Sequence, residues 1–216
     1  MDSAVVPSAS TPRLSAAERR EQILDAATAV FGERGYHGTT TDQVAGAAGI
    51  SQPYVVRMFG SKEKLFLEVV HRALAMLFDA FRAALPDPGD GTSREKRLGG
   101  AFVDLVQKEG VHRTLLHAFV SGNDPVIGAA AREGFVGIYR LLRDEAGFSP
   151  EQIDQFLGGG MLLSVLLGIE LPSVYGQDRD ADELMQVAFG EKCAVVIEAA
   201  GPASAAGAAT AAAAAR

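Results

Sequence analysis

The stretch Gly49–Phe66, GISQPYVVRMFGSKEKLF, holds two helix starts within eighteen residues. Val55, Met58 and Phe59 stand at i, i+3 and i+4, so they share one face of a short helix. Gln52, Pro53, Tyr54 and Arg57 are left at its start and on its outer side. Pro53 costs little there, because a first-turn N–H has no intrahelical partner. Upstream, Thr41–Ala48 has the pattern of an equally short helix, and Gly49 suits a turn that needs positive φ. Helices below about 12–15 residues are marginal alone. These two must pack on each other and on the helix before them, where Ala45 permits close approach. Two short helices around a glycine make a helix-turn-helix, whose second helix enters the DNA major groove by its N-terminal end.

In that arrangement Gln52 pairs with a base edge and Pro53 offers an apolar edge to a thymine methyl. Tyr54 stacks on a sugar edge or donates its hydroxyl, and Arg57 lies on the outer face. Ser61-Lys62 opens the next helix, whose free N–H groups and ammonium suit a phosphate. Thr40 or Thr41 does the same for the preceding one. The candidate DNA-binding residues are therefore Thr40, Thr41, Gln52, Pro53, Tyr54, Arg57 and Lys62. The competing reading is a helical adaptor that presents this polar face to another protein.

Charge points the same way. The chain carries a net charge of −7. Arg13, Arg19, Arg20, Arg34, Arg57, Lys62 and Lys64 nevertheless slightly outweigh the acidic residues between positions 13 and 64. An acidic body keeps nucleic acid away from itself and turns any contact toward the N-terminal end.

Outward from this segment, helix starts recur. Ser15/Glu18, Thr40/Gln43, Thr92/Glu95 and Ser149/Gln152 have capping-box spacing, and Asp124-Pro125 and Ser149-Pro150 place proline in a first turn. Ser51, Ser61 and Asp180 are further N-cap candidates. Stops stand at Gly35, Gly49, Gly60, Gly147 and Gly176. No segment alternates with period two. The expectation is an all-α fold of about nine helices, over 15–34, 41–48, 52–58, 62–85, 93–109, 111–122, 125–146, 150–170 and 181–199. Residues 1–14 read as a flexible arm and 201–216 as a disordered Ala-rich tail.

Several function classes find no support. Among the motifs, a Gly-rich phosphate loop, Gly-x-Ser-x-Gly, His-Glu-x-x-His and a cysteine cluster are all missing from the sequence. An enzyme, a cofactor and a metal are not expected. Cys193 is the single cysteine, so no intrachain disulfide forms, as suits a reducing cytoplasm. The apolar run from Phe156 to Ile169 falls short of the about 20 residues a bilayer needs. No membrane association is expected.

Residues 31–66 resemble the DNA-binding domain of the TetR family of bacterial regulators. The resemblance rests on Gly35-Tyr36, Gly38-Thr39-Thr40, Val44-Ala45, Ala48-Gly49-Ile50-Ser51, Phe59, Ser61-Lys62 and Leu65-Phe66. It implies a DNA-binding domain over 15–66, an effector-binding and dimerisation domain over 67–200, and a homodimer on a palindromic double-stranded operator. It also implies a repressor released by a small-molecule effector, with an activator lacking an effector as the alternative sign. One departure matters: family members commonly carry an aromatic residue at the position of Val56, often a tyrosine on phosphate, and valine donates no such bond.

In the second half, the helices over 150–170 and 181–199 are apolar on more than one side, which means burial on two sides. Leu184, Val187, Ala194 and Ile197 line one face of the last, and Met185, Phe189, Cys193 and Val196 another. Together these helices suit a dimeric four-helix interface. An effector pocket is expected among helices five to eight, lined by Phe102, His112, His117, Phe119, Phe135, Tyr139, Gln155 and Met161, with Phe156 and Ser164 beside them. His112 and His117, five apart, do not share a helical face, so they are not a metal pair.

Overall fold

The computed structural model describes residues 14–106, 108 and 110–200. The expected N-terminal arm (apart from Leu14) and the Ala-rich tail lie outside the described residues. Among the described residues the chain is all helical. It forms α1 (Ala16–Gly38), α2 (Thr41–Ala47), α3 (Gln52–Phe59), α4 (Lys62–Ala84), α5 (Arg94–Val106), α6 (Val111–Val120), α7 (Pro125–Arg140), α8 (Pro150–Gly168), α9 (Arg179–Phe189) and α10 (Cys193–Ala200).

The boxes at Ser15/Glu18, Thr40/Gln43 and Ser149/Gln152 form in full. The start of α5 shifts by one residue. The Ser93 hydroxyl, not Thr92, accepts a first-turn N–H, that of Lys96, and the Thr92 N–H that a box would offer Glu95 goes to Asp90. Asp178, not Asp180, caps α9, accepting the N–H groups of Asp180 and Ala181. Ser51 precedes α3 without a side-chain cap bond. The expected final helix divides in two at Gly190, whose φ of 51° cannot continue a helix. That break turns one expected helix into α9 and α10. The seventh helix closes in a π-helical turn over Leu141–Glu145.

The long α4 is the spine. Leu65, Phe66, Val69, Val70, Ala73, Leu74, Leu77 and Phe81 are all buried along it. Its N-terminal half packs Phe66 against Phe31 of α1, ring centres 4.9 Å apart. Its C-terminal half sets Phe81 against Phe156 of α8 at 5.7 Å. Helix α7 crosses α4 through glycines: a Cβ on Gly134 would fall 2.5 Å from Leu74, and one on Gly137 2.9 Å from Phe78. The ion pairs Arg20–Glu68 and Arg72–Asp25 join α1 to α4 at the surface.

A second close approach joins α1 to α6. Thr28, Gly32 and Gly35 stand at i, i+4 and i+7 on α1; Gly110, Thr114 and His117 stand at i, i+4 and i+7 at and along α6. A Cβ on Gly32 would lie 2.6 Å from Gly110 Cα, and one on Gly110 would lie 2.2 Å from the Thr28 carbonyl oxygen. The Thr114 hydroxyl donates to that same carbonyl at 3.3 Å. Gly110 also holds a φ of 74°. Gly110→Ala should therefore combine left-handed backbone strain with overpacking, at a cost of about 2–5 kcal/mol. Urea denaturation checks this. Gly158→Ala, where the added Cβ meets nothing within 4 Å, should leave stability unchanged or raise it by up to about 1 kcal/mol.

Candidate nucleic-acid interface and effector cavity

The helix-turn-helix is built as its spacing requires. Val44 and Val55 are fully buried between α2 and α3, and Phe59 nearly so. Gly49 turns the chain at φ 65°, and Ile50 N–H returns to the Ala45 carbonyl at 3.0 Å. Gln22 of α1 donates to the Ala48 carbonyl at 2.9 Å, which fixes the turn against the first helix. The outer face of α3 is then left to Gln52, Pro53, Tyr54, Val56 and Arg57, each exposed or half-buried.

These side chains are linked before any DNA arrives. The Gln52 amide donates to the Thr41 hydroxyl at 3.1 Å, bridging α3 to α2. The Arg57 guanidinium sits 4.9 Å from the centre of the Tyr54 ring. Arg57 and Lys64 have no carboxylate within ion-pair distance among the described residues, unlike Arg20 and Arg72. Val56 is exposed, and its side chain donates nothing. Thr40 caps α2, its hydroxyl accepting Gln43 N–H at 3.2 Å.

Lys62 has a task that spacing did not reveal. Its ammonium donates to the carbonyls of Tyr36 at 3.0 Å and Thr39 at 3.1 Å, and lies 4.4 Å from the centre of the Tyr36 ring. It closes the C-terminus of α1 from the first turn of α4. Two of its three N–H donors are so engaged. Thr39, wholly buried, works with it by donating its hydroxyl to the Gly35 carbonyl at 2.8 Å. The sequence signal was present in the Gly38-Thr39-Thr40 run, but only the return of α4 to α1 explains it.

At the other end, Phe102, His112, Phe119, Phe135 and Met161 line one cavity of about 60 Å³, together with Phe156 and Ser164. Leu77, Phe81, Leu115, Leu116, Ile138, Leu157 and Gly160 complete its wall. Leucine, isoleucine and phenylalanine at helical spacing give no sign in sequence of which interior they face. The remaining expected pocket residues lie elsewhere. His117 turns to the opposite side of α6, where its Nδ1 would meet a Cβ on Gly35 at 3.1 Å. Tyr139 is exposed beneath the Arg143 guanidinium. Gln155 belongs to a separate, more open hollow of about 510 Å³ between α5, α8 and α9, which also holds Lys192. That hollow meets the first cavity at Phe102, Phe156 and Gly160.

His112 is the unusual group. Its burial, with Arg113 alongside as a smaller cause, lowers its pKa to about 4, so the imidazole is neutral at pH 7. Among the described residues its Nε2 is the one buried side-chain nitrogen or oxygen without a hydrogen-bond partner. No group of three or more His, Cys, Asp or Glu that could hold a metal ion occurs among the described residues. No helix of the described chain is long and apolar enough to cross a membrane.

Residues 23–69 match the family model for bacterial regulatory proteins of the tetR family. Over 157 residues the chain is 33% identical to the HTH-type transcriptional activator FasR of Mycolicibacterium smegmatis, covering 71% of this chain and 72% of that one. The chain belongs to the TetR family. It is a DNA-binding transcriptional regulator with a helix-turn-helix. A shorter match, 36% identical over 86 residues, spans 39% of this regulator and 41% of the HTH-type transcriptional repressor KstR2 of Mycobacterium tuberculosis (strain ATCC 25618 / H37Rv). In structure it is similar to a TetR-like transcriptional regulator from Rhodococcus sp. RHA1, with a TM-score of 0.52, 25% identity and coverage of 89% and 99% of the two chains.

Two basic residues of the reading head, Lys62 and Arg57, should separate in experiment. Lys62→Ala removes two charge-assisted bonds to backbone and should cost about 1–3 kcal/mol of stability besides weakening DNA binding. Arg57→Ala should weaken DNA binding while leaving the denaturation midpoint in place. Thermal melts alongside binding isotherms distinguish the two.

Proposed function

We infer that this regulator binds a palindromic double-stranded operator as a homodimer and is released from it by a small apolar effector. The observation that carries the reading is the position of α6. One side of that helix supplies His112, Leu115, Leu116 and Phe119 to the cavity. The other side presses Gly110, Thr114 and His117 onto α1. An effector that displaces α6 therefore bears directly on the helix that supports the reading head.

The cavity's small volume supports a switch. A ligand shifts a conformational equilibrium only if it prefers one state. A molecule larger than the present cavity prefers the state in which α6 has moved away from α8. On the DNA side, Gln52, Pro53 and Tyr54 read bases, while Thr40, Thr41, Arg57 and the remaining Lys62 donor hold backbone. Repression is the sign proposed for the DNA-bound form. The relatives carry both signs in their names, so the position of the operator relative to the promoter is the deciding measurement.

Dimerisation is assigned to α8 and α9. Leu162 and Val165 of α8, Ile169 at its C-cap, and Leu184 and Val187 of α9 are exposed, Val187 to 76% and Ile169 to 63%. Met185, Cys193 and Val196 face inward instead and are buried. Ile197 packs against that inner cluster, so it does not belong with Leu184 and Val187 on the outer face. An isologous patch of this kind buries itself against its own copy.

Selection from random DNA should return an inverted repeat, with half-sites about one helical turn or more apart. Gln52→Ala should relax preference at one base pair per half-site by about 1–3 kcal/mol. Recovery of no preferred sequence, or of an asymmetric one, overturns the reading. Val187→Asp should convert a dimer to a monomer in light scattering and lower operator affinity, since a carboxylate at the centre of an apolar interface is left unpaired. A monomer for the unaltered protein at micromolar concentration would count against the assembly.

A further inference from the structure

The wall of the cavity specifies what enters it. Five phenylalanines, five leucines and isoleucines and Met161 make it almost wholly apolar. No lysine, arginine, aspartate or glutamate lines it. Ser164 already donates its hydroxyl to the Gly160 carbonyl at 2.8 Å. The imidazole of His112, only 6% exposed, is the remaining polar group, and its Nε2 is unpartnered.

A buried polar atom without a partner costs about 1–3 kcal/mol, so its survival in an otherwise apolar wall asks for an occupant. Water is a poor one. A buried water makes about three hydrogen bonds, and this wall supplies His112 and an already engaged Ser164. An ion is poorer still. An anion would find no cation in the wall. A cation would find no carboxylate, and it would stand near Arg113, whose charge already disfavours protonation of His112. Phenylalanine faces attract cations, but here without a counter-charge and at a full desolvation cost.

We propose that the effector is an uncharged apolar molecule with a single hydrogen-bonding group, and that His112 Nε2 is the anchor that recognises that group. This rests on the reading of the cavity as an effector site. Anchoring at His112 also places the ligand's polar end two residues from Gly110, where α6 meets α1. The apolar remainder extends toward Met161 and Gly160 and forces α6 and α8 apart.

The test uses full-length protein and three probes with one tail: octan-1-ol, octanoate and octyltrimethylammonium. Calorimetry should show octan-1-ol binding about tenfold or more tightly than either ion at neutral pH, the ratio one well-made hydrogen bond in place of an unmet ionic group supports. In protein carrying ¹⁵N-labelled histidine, octan-1-ol should shift the His112 Nε2 resonance and leave that of His117 in place. His112→Phe should lose most of the affinity for octan-1-ol, and His112→Gln should recover part of it. If His112→Phe fails to fold, the labelled-histidine shift in the unaltered protein decides. Equal or tighter binding of either ion, binding of none of the probes, or octan-1-ol binding with no movement of the His112 resonance overturns the proposal. Operator binding measured without probes tests the regulator reading separately. Octan-1-ol binding at His112 that leaves operator affinity unchanged upholds the ligand class and sinks the release mechanism.

Discussion

The backbone-to-backbone contact between α1 and α6 is the constraint on which the rest of this molecule depends. Gly110 sits so close to Thr28 that no side chain fits. Interiors packed at this density transmit displacement rather than absorb it. Because α6 carries the cavity on its other side, the same helix is both cavity wall and packing partner of α1. The register of Thr28, Gly32 and Gly35 against Gly110, Thr114 and His117 leaves little room for one helix to slide without the other.

The reading head is held by a different principle. α2 and α3 are too short to persist alone, and their geometry comes from neighbours. Gln22 holds the turn, Val55 and Phe59 anchor α3, and Lys62 closes α1 from the start of α4. Among the candidate contact residues Lys62 and Thr40 also serve the fold, the second as cap, and Tyr54 packs partly on the core. Gln52 stands apart, since its amide already donates to the Thr41 hydroxyl and ties α3 to α2.

An apolar cavity with one orphaned nitrogen and an acidic chain with a partly basic reading head are complementary features. The first is a wall without charged side chains. The second recognises a polyanion by offering charge at one end and withholding it elsewhere. The named relatives with which the chain shares sequence are regulators of transcription.

How much of this was legible in the sequence follows from the range of each interaction. Capping boxes, glycine stops and the i, i+3, i+4 pattern act within one or two turns, so Ser15, Thr40, Ser149 and the helix-turn-helix were readable directly. The fold class and the outward face of α3 followed from them. Local signals failed where a neighbour competed: Asp90 took the Thr92 N–H that a box would offer Glu95, the cap stands at Ser93, and Gly190 broke a helix whose apolar pattern ran on. Which interior an aromatic or histidine faces depends on helix rotation against partners far away in the chain. Hence Phe102, His112 and Phe119 reach the cavity, while His117, Tyr139 and Gln155, equally plausible by type, do not. The engagement of Lys62 by α1 and the close fit of Gly110 on Thr28 were decided by tertiary structure alone, because each joins residues that only packing brings together.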